Sequence, residues 1–509
     1  MKTIILAFCG VLVFAQPKPI PPVGGAAPLS PKMSCKQLRT LTGYDFTVAT
    51  ATLVPATAQN AEYCRISGNV APEIRFEVSL PTSWSRRFLM TGNGGYAGDD
   101  IENPLRAQMR GRAASSGFVH AASNTGHDAA SEPGAIFARD KQKLYDYAFR
   151  SLHVTAEMAK RVAEAYYGEK PAKSYYQGCS TGGRQGLILA QRFPDDFDGI
   201  IAGAPVLDFT GTMQRYTCTA QALAEAPIPY AKLALLSDRI YAACDEKDGL
   251  KDGLIEDPRK CAFSASRDLP KCAAADGADC FTAGQIAALE KIYGDVVVNG
   301  KVVARGWPVG AEVAGPNGRS GWDPWIAHDG GPSISAGFAE SFWRYMAFPE
   351  KNATRELMKY NFEKEEPRLA EIRSILDATD PDLSAFRKHG GKLLMYYGWA
   401  DQALNAQMGI DYYEAAMKAN GAGAKDFFRF FLMPGVFHCG GGVGPDQVDW
   451  LQVLLNWAER SQTPERLVAA KRVENKTGRT RPLCAYPLHA KYKGTGSIDE
   501  EANFVCREE

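Results

Sequence analysis

The sequence lacks three features that would indicate other classes of protein. It has no charge excess, because 58 Lys and Arg residues balance 58 Asp and Glu residues over 509 positions. Holding a nucleic-acid backbone needs a basic surface, so we expect no nucleic-acid partner. Beyond the N-terminus no stretch has the roughly 18 uninterrupted apolar residues of a membrane span, so we expect none. No CxxC pair or Cys/His cluster has zinc spacing, which argues against a sulfur-bound metal.

The first residues have the composition of a targeting segment. Residues 1–15 contain one lysine and an apolar run and precede Gln16-Pro17, which is typical of a signal peptide. A lipoprotein signal through Cys9 is the weaker alternative, because bulky Phe8 stands where a small residue is needed. Residues 16–32 are rich in Pro, Gly and Ala and predict a flexible N-terminus. We expect a secreted or periplasmic monomer.

Cysteine, in contrast, is plentiful. Without Cys9, eleven of the 12 cysteines remain. In an exported chain this number predicts disulfides with one thiol left over. The hydrophobic fraction of 45% is enough for one large core or two moderate ones.

Residues 173–186 predict a strand, a sharp turn and a helix. A β-prone aromatic stretch leads into Gly178-Cys179-Ser180-Thr181-Gly182, a G-x-S-x-G motif, and an amphipathic run follows at 187–193. In such a turn the glycines let backbone segments pass closely and the serine hydroxyl projects above the sheet. Ser180 is therefore a candidate nucleophile. The alternative is a Gly-Ser loop that only joins two elements. The nucleophile hypothesis requires a carboxylate and a histidine later in the chain.

Both required residues follow, each after a buried strand. The apolar stretch at 391–400 ends at Asp401, and the stretch at 427–433 precedes His438. The order Ser180, Asp401, His438 is that of α/β-hydrolase triads. His127, which follows a predicted strand at 117–123, precedes the serine and is expected to support a loop.

A glycine-dense loop at 92–98 follows the predicted strand at 88–91. Amides in such a loop bind an oxyanion together with the amide after the nucleophile, so Gly94, Gly95 and Thr181 are candidate donors. The alternative is a simple tight turn. Other predicted elements are a strand at 74–80, a helix from about 141 to 167 ended by Gly168, and a strand at 197–205.

The alternation of strands and helices predicts a doubly wound α/β sheet that is interrupted once. We assign 33–205 and 388–509 to an α/β-hydrolase catalytic domain and 206–387 to an inserted lid domain. The lid contains aromatic segments that are equally compatible with a core and with a pocket wall. Its aromatic candidates for substrate contact are Trp322, Trp325, Phe342 and Trp343. A further candidate outside the lid is Leu404, which follows Asp401.

An acidic loop lies inside the predicted lid between Cys244 and Cys261. Its aspartates recur at three- and four-residue intervals with glycines between them, a pattern that suits a hard cation such as Ca²⁺. The glutamate spacing of an EF-hand is absent, so that motif is not predicted. The alternative is a solvated acidic turn.

At these motifs the chain resembles the tannase and feruloyl esterase family over nearly its whole mature length. The most specific marks are GCSTGGRQ at 178–185, GWAD at 398–401 and GVFHC at 435–439. The resemblance implies a disulfide between Cys179 and Cys439 that ties the serine turn to the histidine loop. It also implies four further disulfides, with Cys218 left unpaired: Cys35–Cys64, Cys244–Cys261, Cys272–Cys280 and Cys484–Cys506.

The resemblance further implies a structural Ca²⁺ in the lid, held by the side chains of Asp245, Asp248 and Asp252 and the carbonyls of Leu250 and Leu254. It implies hydrolysis of esters of aromatic acids through an acyl-enzyme. A cinnamate (feruloyl) ester is the first expectation, and a galloyl ester or a terephthalate monoester is the second. A non-catalytic binding protein on a hydrolase scaffold is a remote alternative.

Overall fold

The computed structural model describes residues 20–313, 321–348, 356–474 and 476–508. The predicted signal peptide at 1–15 lies outside the described residues, as does part of the 16–32 segment. The strands are β1 (Phe46–Val54), β2 (Tyr63–Val70), β3 (Ile74–Pro81), β4 (Arg87–Thr91), β5 (Phe118–Ser123), β6 (Lys173–Cys179), β7 (Gly199–Gly203), β8 (Val296–Val298), β9 (Lys301–Ala304), β10 (Lys392–Gly398), β11 (Phe428–Met433), β12 (Arg466–Val473), β13 (Lys476–Cys484), β14 (His489–Tyr492) and β15 (Phe504–Arg507).

Helices cover both faces of the sheet and fill the insertion. They are α1 (Pro104–Ser115), α2 (Lys141–Tyr145), α3 (Ser151–Tyr167), α4 (Thr181–Arg192), α5 (Phe209–Glu225), α6 (Tyr230–Cys244), α7 (Ala265–Asp268), α8 (Ala283–Tyr293), α9 (Trp322–Trp325), α10 (Ile334–Tyr345), α11 (Phe362–Glu365), α12 (Ala370–Leu376), α13 (Ser384–His389), α14 (Ala406–Asn420) and α15 (Trp450–Arg460). None of the helices in the described ranges is long and apolar enough to span a bilayer.

Nine strands form one mixed sheet in the order β1-β2-β3-β5-β4-β6-β7-β10-β11. The first three strands run antiparallel to their neighbours, and the pairs from β5 to β11 are parallel. Strands β5 and β7 are buried at every residue, as expected for parallel strands covered by helices on both faces. This is the predicted α/β-hydrolase fold.

Strand β3 differs from its predicted half-buried pattern, because every residue except Arg75 is buried. Glu77 has no exposed side-chain surface and pairs with Arg110 of α1 at 2.5 Å and with Arg65 of β2 at 3.3 Å. A buried carboxylate needs such partners to offset its lost hydration. At Glu77 the polar position of the alternation is therefore part of an internal ion cluster and does not face solvent.

The predicted helix at 141–167 is interrupted by one wide turn. Helix α2 runs into a π turn at Asp146–Arg150, and α3 continues from Ser151. The helix ends at Gly168, which has φ of 76°, so the predicted glycine C-cap is confirmed.

The chain between β7 and β10 leaves the sheet and returns to the same place. β7 and β10 pair directly in parallel, with Gly199 opposite Lys392. Between them lie helices α5 to α13 and the β8–β9 hairpin, and in the described part of this segment no strand joins the central sheet. At its base the Ala378 amide donates to the Leu207 carbonyl at 2.8 Å.

Disulfides connect these parts of the chain. All five predicted pairs are present, and Cys218 is the free cysteine of the described residues. Cys179–Cys439 spans 260 positions, whereas each of the others closes 29 or fewer. The long bridge therefore connects two distant parts of the sequence, and the short ones close local loops.

Candidate active site

The turn between β6 and α4 holds Ser180 in a strained conformation. Ser180 has φ of 63° and ψ of −124°, a backbone conformation that residues other than glycine rarely adopt. A Cβ on Gly178 would lie 2.5 Å from the Gly182 backbone, so this turn admits only glycine at that position. The predicted strand–turn–helix is confirmed, and the strain raises the serine above the edge of the sheet.

Asp401 and His438 meet on the loops that follow β10 and β11. His438 Nδ1 lies 2.8 Å from Asp401 Oδ2. Asp401 is 1% exposed, and its other oxygen accepts the amides of Ala403 and Leu404 at 2.8 and 2.7 Å. A carboxylate so placed accepts the Nδ1 proton, which leaves His438 Nε2 as the basic nitrogen.

The Cys179–Cys439 disulfide brings the serine turn beside the histidine loop. These cysteines adjoin Ser180 and His438, and their Cα atoms are 6.0 Å apart. In the described residues no hydrogen bond joins Ser180 Oγ to His438, although the two residues are neighbours through the bridge. Catalytic hydrogen bonds are often long without substrate and tighten in the reacting complex.

The glycine loop after β4 lies against the start of α4. The Gly95 carbonyl accepts hydrogen bonds from Thr181 Oγ1 at 2.5 Å and from the Tyr147 hydroxyl at 3.1 Å. Within the described chain, no protein acceptor takes the amides of Gly94, Gly95 or Thr181. The Thr181 amide is at the N-terminus of a helix, where the first amides have no intrahelical partner. Free amides from both segments are therefore available beside Ser180.

Two further side chains, which the sequence did not identify, hold this loop to α4. Gln185 Oε1 accepts the Asn93 amide at 3.0 Å, and Gln185 Nε2 donates to Asn93 Oδ1 at 3.2 Å. Gln185 belongs to the GCSTGGRQ motif, but its partner is distant in sequence. Only the folded structure could reveal this pairing.

His127 supports the same loop, as expected from its position before the serine. Its Nε2 lies 3.0 Å from the Tyr96 carbonyl, and its ring stacks on Phe137 at 3.8 Å. Burial lowers the pKa of His127 to about 4, so the ring is neutral at physiological pH and donates through Nε2.

The predicted aromatic contacts separate into two groups. Trp325 is half-buried, and its ring lies 5.8 Å from His438 and stacks on Phe338 at 6.3 Å. Trp322, Phe342 and Trp343 are at most 2% exposed and pack in the core of the insertion. Leu404 is buried as well, where its amide binds Asp401. Phe338, which the sequence did not indicate, lies directly over Gly95.

The acidic loop folds on itself through its own carboxylates. Asp245 Oδ1 accepts the amides of Asp252 and Gly253 at 3.1 and 3.0 Å, and Asp252 also pairs with Arg481. Burial, with the charges of Asp252 and Asp245 adding to it, raises the pKa of Asp248 to about 6. The Cys244–Cys261 disulfide closes the segment. Over the described ranges, no three His, Cys, Asp or Glu side chains converge closely enough to coordinate a metal.

An open cavity lies away from these residues. It has a volume of about 280 Å³ and is bordered by Asp208, Arg215, Trp307 and helix α14. None of the residues predicted for catalysis lines it. Chemical geometry, rather than cavity size, therefore locates the candidate active site at Ser180.

A serine elbow, with a histidine and a carboxylate on the loops after the last two strands of such a sheet, is typical of the α/β-hydrolases. The fold and the arrangement of these side chains place the chain among the α/β-hydrolases. A family model described as tannase and feruloyl esterase matches residues 57–507. The chain belongs to the tannase and feruloyl esterase family, whose members are carboxylic-ester hydrolases.

Individual relatives agree with this assignment over nearly the full length. The mono(2-hydroxyethyl) terephthalate hydrolase of Piscinibacter sakaiensis is 32% identical over 94% of this chain and 92% of its own. The probable feruloyl esterase B-2 of Aspergillus fumigatus is 30% identical over 88% and 87%. Among solved structures, feruloyl esterase B from Aspergillus oryzae has a TM-score of 0.81 at 27% identity, covering 93% of this chain and 99% of that one.

Proposed function

We propose that the protein hydrolyses esters of aromatic acids through an acyl-enzyme formed on Ser180. The observation that carries this proposal is the 2.8 Å hydrogen bond between His438 and buried Asp401. The Cys179–Cys439 disulfide joins the loop that contains His438 to the strained serine turn. All three residues are present, which disfavours a non-catalytic binding protein on this scaffold.

Each residue has a defined task in the proposed reaction. His438 Nε2 removes the Ser180 proton as the hydroxyl attacks the ester carbonyl, and Asp401 holds the ring and stabilises the imidazolium. The amide of Thr181 and that of Gly95 or Gly94 bind the oxyanion. His438 then protonates the departing alcohol. A water activated by the same nitrogen releases the acid.

Aromatic side chains support the choice of acyl group. Trp325 beside His438 and Phe338 above Gly95 form adjoining apolar surfaces at the position of the reacting carbonyl. Such surfaces bind a planar ring by offset or edge-to-face contact. The names of the relatives support a feruloyl ester as the first candidate, with a galloyl ester or a terephthalate monoester as the second.

The insertion at 206–387 is the proposed lid over the catalytic domain at 33–205 and 388–509. Its Phe338 carbonyl accepts the Tyr96 hydroxyl at 3.0 Å, and its Trp325 ring borders His438. The insertion thus contacts both the glycine loop and the base. The five disulfides support export to an oxidising compartment, such as the periplasm or the exterior of the cell.

Release of free acid from a panel of esters tests this function. The purified mature protein is assayed with methyl ferulate, methyl gallate, chlorogenate and mono(2-hydroxyethyl) terephthalate. We expect the highest kcat/KM for a cinnamate ester. Equal rates on an aliphatic ester such as ethyl butyrate would contradict the aromatic acyl pocket, and no turnover of any ester would contradict the proposed catalysis.

We also propose that the acidic loop binds a structural Ca²⁺. All proposed donors are oxygen atoms, which suits a hard cation. The carboxylates of Asp245, Asp248 and Asp252 and the carbonyls of Leu250 and Leu254 would draw together around the ion. The raised pKa of Asp248 supports the proposal, because burial and then the nearby charges of Asp252 and Asp245 disfavour its ionised form, and a bound cation would favour that form. The ion would stabilise the loop and takes no part in the reaction.

The Asp248→Ala variant is expected to unfold at a lower temperature and to lose its response to calcium. A ligand that binds only the folded state adds RT ln(1 + [L]/Kd), about 2.7 kcal/mol at a hundredfold excess over Kd. Thermal melts with calcium and with EGTA measure this term. Glu246→Ala, a change at an exposed acid of the same loop, is the matched control. Equal melting temperatures of the parent protein with calcium and chelator would contradict the site.

A further inference from the structure

The Gly95 carbonyl is held by two hydroxyl groups from separate elements. Tyr147, in the π turn, donates at 3.1 Å, and Thr181, the first residue of α4, donates at 2.5 Å. Gly95 has φ of 50°, and glycine is the residue with the widest backbone freedom. Without external contacts its two flanking peptide planes would rotate readily. Two donors on one carbonyl fix the second of these planes.

The first plane is fixed by the turn itself, since the Ala97 amide donates to the Gly94 carbonyl at 2.9 Å. A peptide unit is planar, so holding one of its carbonyls also sets the direction of the N–H across the bond. The Gly95 amide belongs to this first plane. The turn thus sets the direction of the Gly95 amide within the loop. The Gly95 carbonyl belongs to the next plane, so the two hydroxyls act by holding the loop, and with it the Gly95 amide, in place against the first turn of α4.

Tyr147 reaches this carbonyl because the helix widens at that point. It lies in the π turn Asp146–Arg150, and such turns are rare and recur at functional sites. Arg184 of α4 donates to the carbonyls of Tyr147 and Ala148 at 3.4 and 3.2 Å, and its guanidinium lies 5.1 Å from the Tyr147 ring. The widened turn is thus attached to the same helix that begins at the nucleophile.

The Tyr147 hydroxyl is directed at the glycine loop. The side chain is fully buried, its hydroxyl donates to the Gly95 carbonyl, and the side chains of Thr181 and Arg184 also interact with it. Burial raises the pKa of Tyr147, so the hydroxyl remains protonated and acts as a donor.

We propose that Tyr147 is a positioning residue, whose hydroxyl holds the Gly95 carbonyl and thereby keeps the oxyanion-binding amide of Gly95 in place beside the Thr181 amide. This inference rests on the proposed ester hydrolysis. It predicts that the loss of the hydroxyl weakens stabilisation of the tetrahedral intermediate and leaves binding of the ground-state ester unchanged.

The Tyr147→Phe variant tests this assignment through the division between kcat and KM. We expect kcat to fall roughly 10- to 100-fold, less than the 10²- to 10³-fold caused by deleting a direct oxyanion donor, with KM unchanged. Phenylboronic acid forms a tetrahedral adduct with a catalytic serine. Its inhibition constant should rise by a similar factor.

Tyr167→Phe is the matched control. Tyr167 is a fully buried tyrosine of α3, and its hydroxyl donates to the Pro81 carbonyl at 2.6 Å. This variant removes the same kind of hydrogen bond far from the serine turn, so it should lose stability but keep kcat. A second test uses Thr181→Val, which removes the other hydroxyl on the Gly95 carbonyl. Its kcat should fall as that of Tyr147→Phe does, again with KM unchanged.

Four outcomes would overturn the proposal: an unchanged kcat in Tyr147→Phe, a rise in KM equal to the fall in kcat, unchanged phenylboronic acid inhibition, or an equal loss of kcat in Tyr167→Phe. Any of these with an active parent protein and an inactive Ser180→Ala variant would leave the proposed function intact. Absence of turnover by the parent protein would overturn the proposed function and this assignment together.

Discussion

Replacement of Ser180 by alanine is expected to lower kcat/KM by roughly 10⁴- to 10⁶-fold, because the acyl-enzyme can no longer form. The variant should still fold, since alanine and serine carry the same strain at φ of 63°. It should also bind a non-hydrolysable ester analogue as tightly as the parent protein does. The measurements are steady-state hydrolysis of the preferred ester, thermal unfolding and titration with the analogue.

Ser174→Ala is the matched control for this prediction. Ser174 is a buried serine near the start of the same strand, and its backbone amide, not its hydroxyl, donates a hydrogen bond to Asp198. Its removal should leave turnover unchanged. Ser180→Gly should also be inactive, but it should melt at a higher temperature because glycine relieves a strain of about 1–3 kcal/mol. Retained activity in Ser180→Ala would remove Ser180 from the mechanism.

Removal of the Cys179–Cys439 bridge is expected to have the largest effect on stability. In the chain-entropy model a loop of 260 positions corresponds to somewhat more than 5 kcal/mol of unfolding free energy. The double variant Cys179→Ser/Cys439→Ser should also lose kcat, roughly 10- to 100-fold, because the serine turn and the histidine loop lose their direct connection. Chemical denaturation and steady-state kinetics measure the two effects separately.

The double variant Cys484→Ser/Cys506→Ser is the control that distinguishes stabilisation of the fold by a disulfide from alignment of the catalytic side chains. This bridge closes only 22 positions, for which the same model gives about 3 kcal/mol, and it lies in the C-terminal hairpins. We expect it to lower stability while kcat stays at the parent value. If the Cys179/Cys439 variant also keeps its kcat, the bridge stabilises the fold without aligning Ser180 and His438.

The sequence predicted the elements whose signals are local. Ser180 was located because G-x-S-x-G directly precedes an amphipathic run, and Asp401 and His438 because each follows a buried strand. The central parallel strands were predictable for the same reason, since each contains a short apolar or aromatic run. Strands β1 and β2 were not predicted. β1 is Thr-rich and largely exposed, so its sequence gives only a weak strand pattern.

Residues whose roles depend on tertiary contacts could not be predicted from the sequence. The π turn that places Tyr147 leaves no mark on helical periodicity, and it is held by Arg184 from another helix. Phe338 and Phe342 lie one turn apart on α10, yet one faces Gly95 and the other is buried in the core. Amphipathicity identifies such a helix but does not show which aromatic side chain lies nearest the site.

The hydrogen bond between the Ala378 amide and the Leu207 carbonyl helps to close the base of the insertion, together with the bonds from Thr210 to Asp377. Because β7 and β10 pair directly, the chain between them can vary without altering their register. If the insertion is the lid proposed above, recombination at its base would change the ester that is accepted and leave Ser180, Asp401 and His438 in place. Such an exchange would succeed only where the partners of the insertion, such as Asp411 for Arg305, are inherited with it.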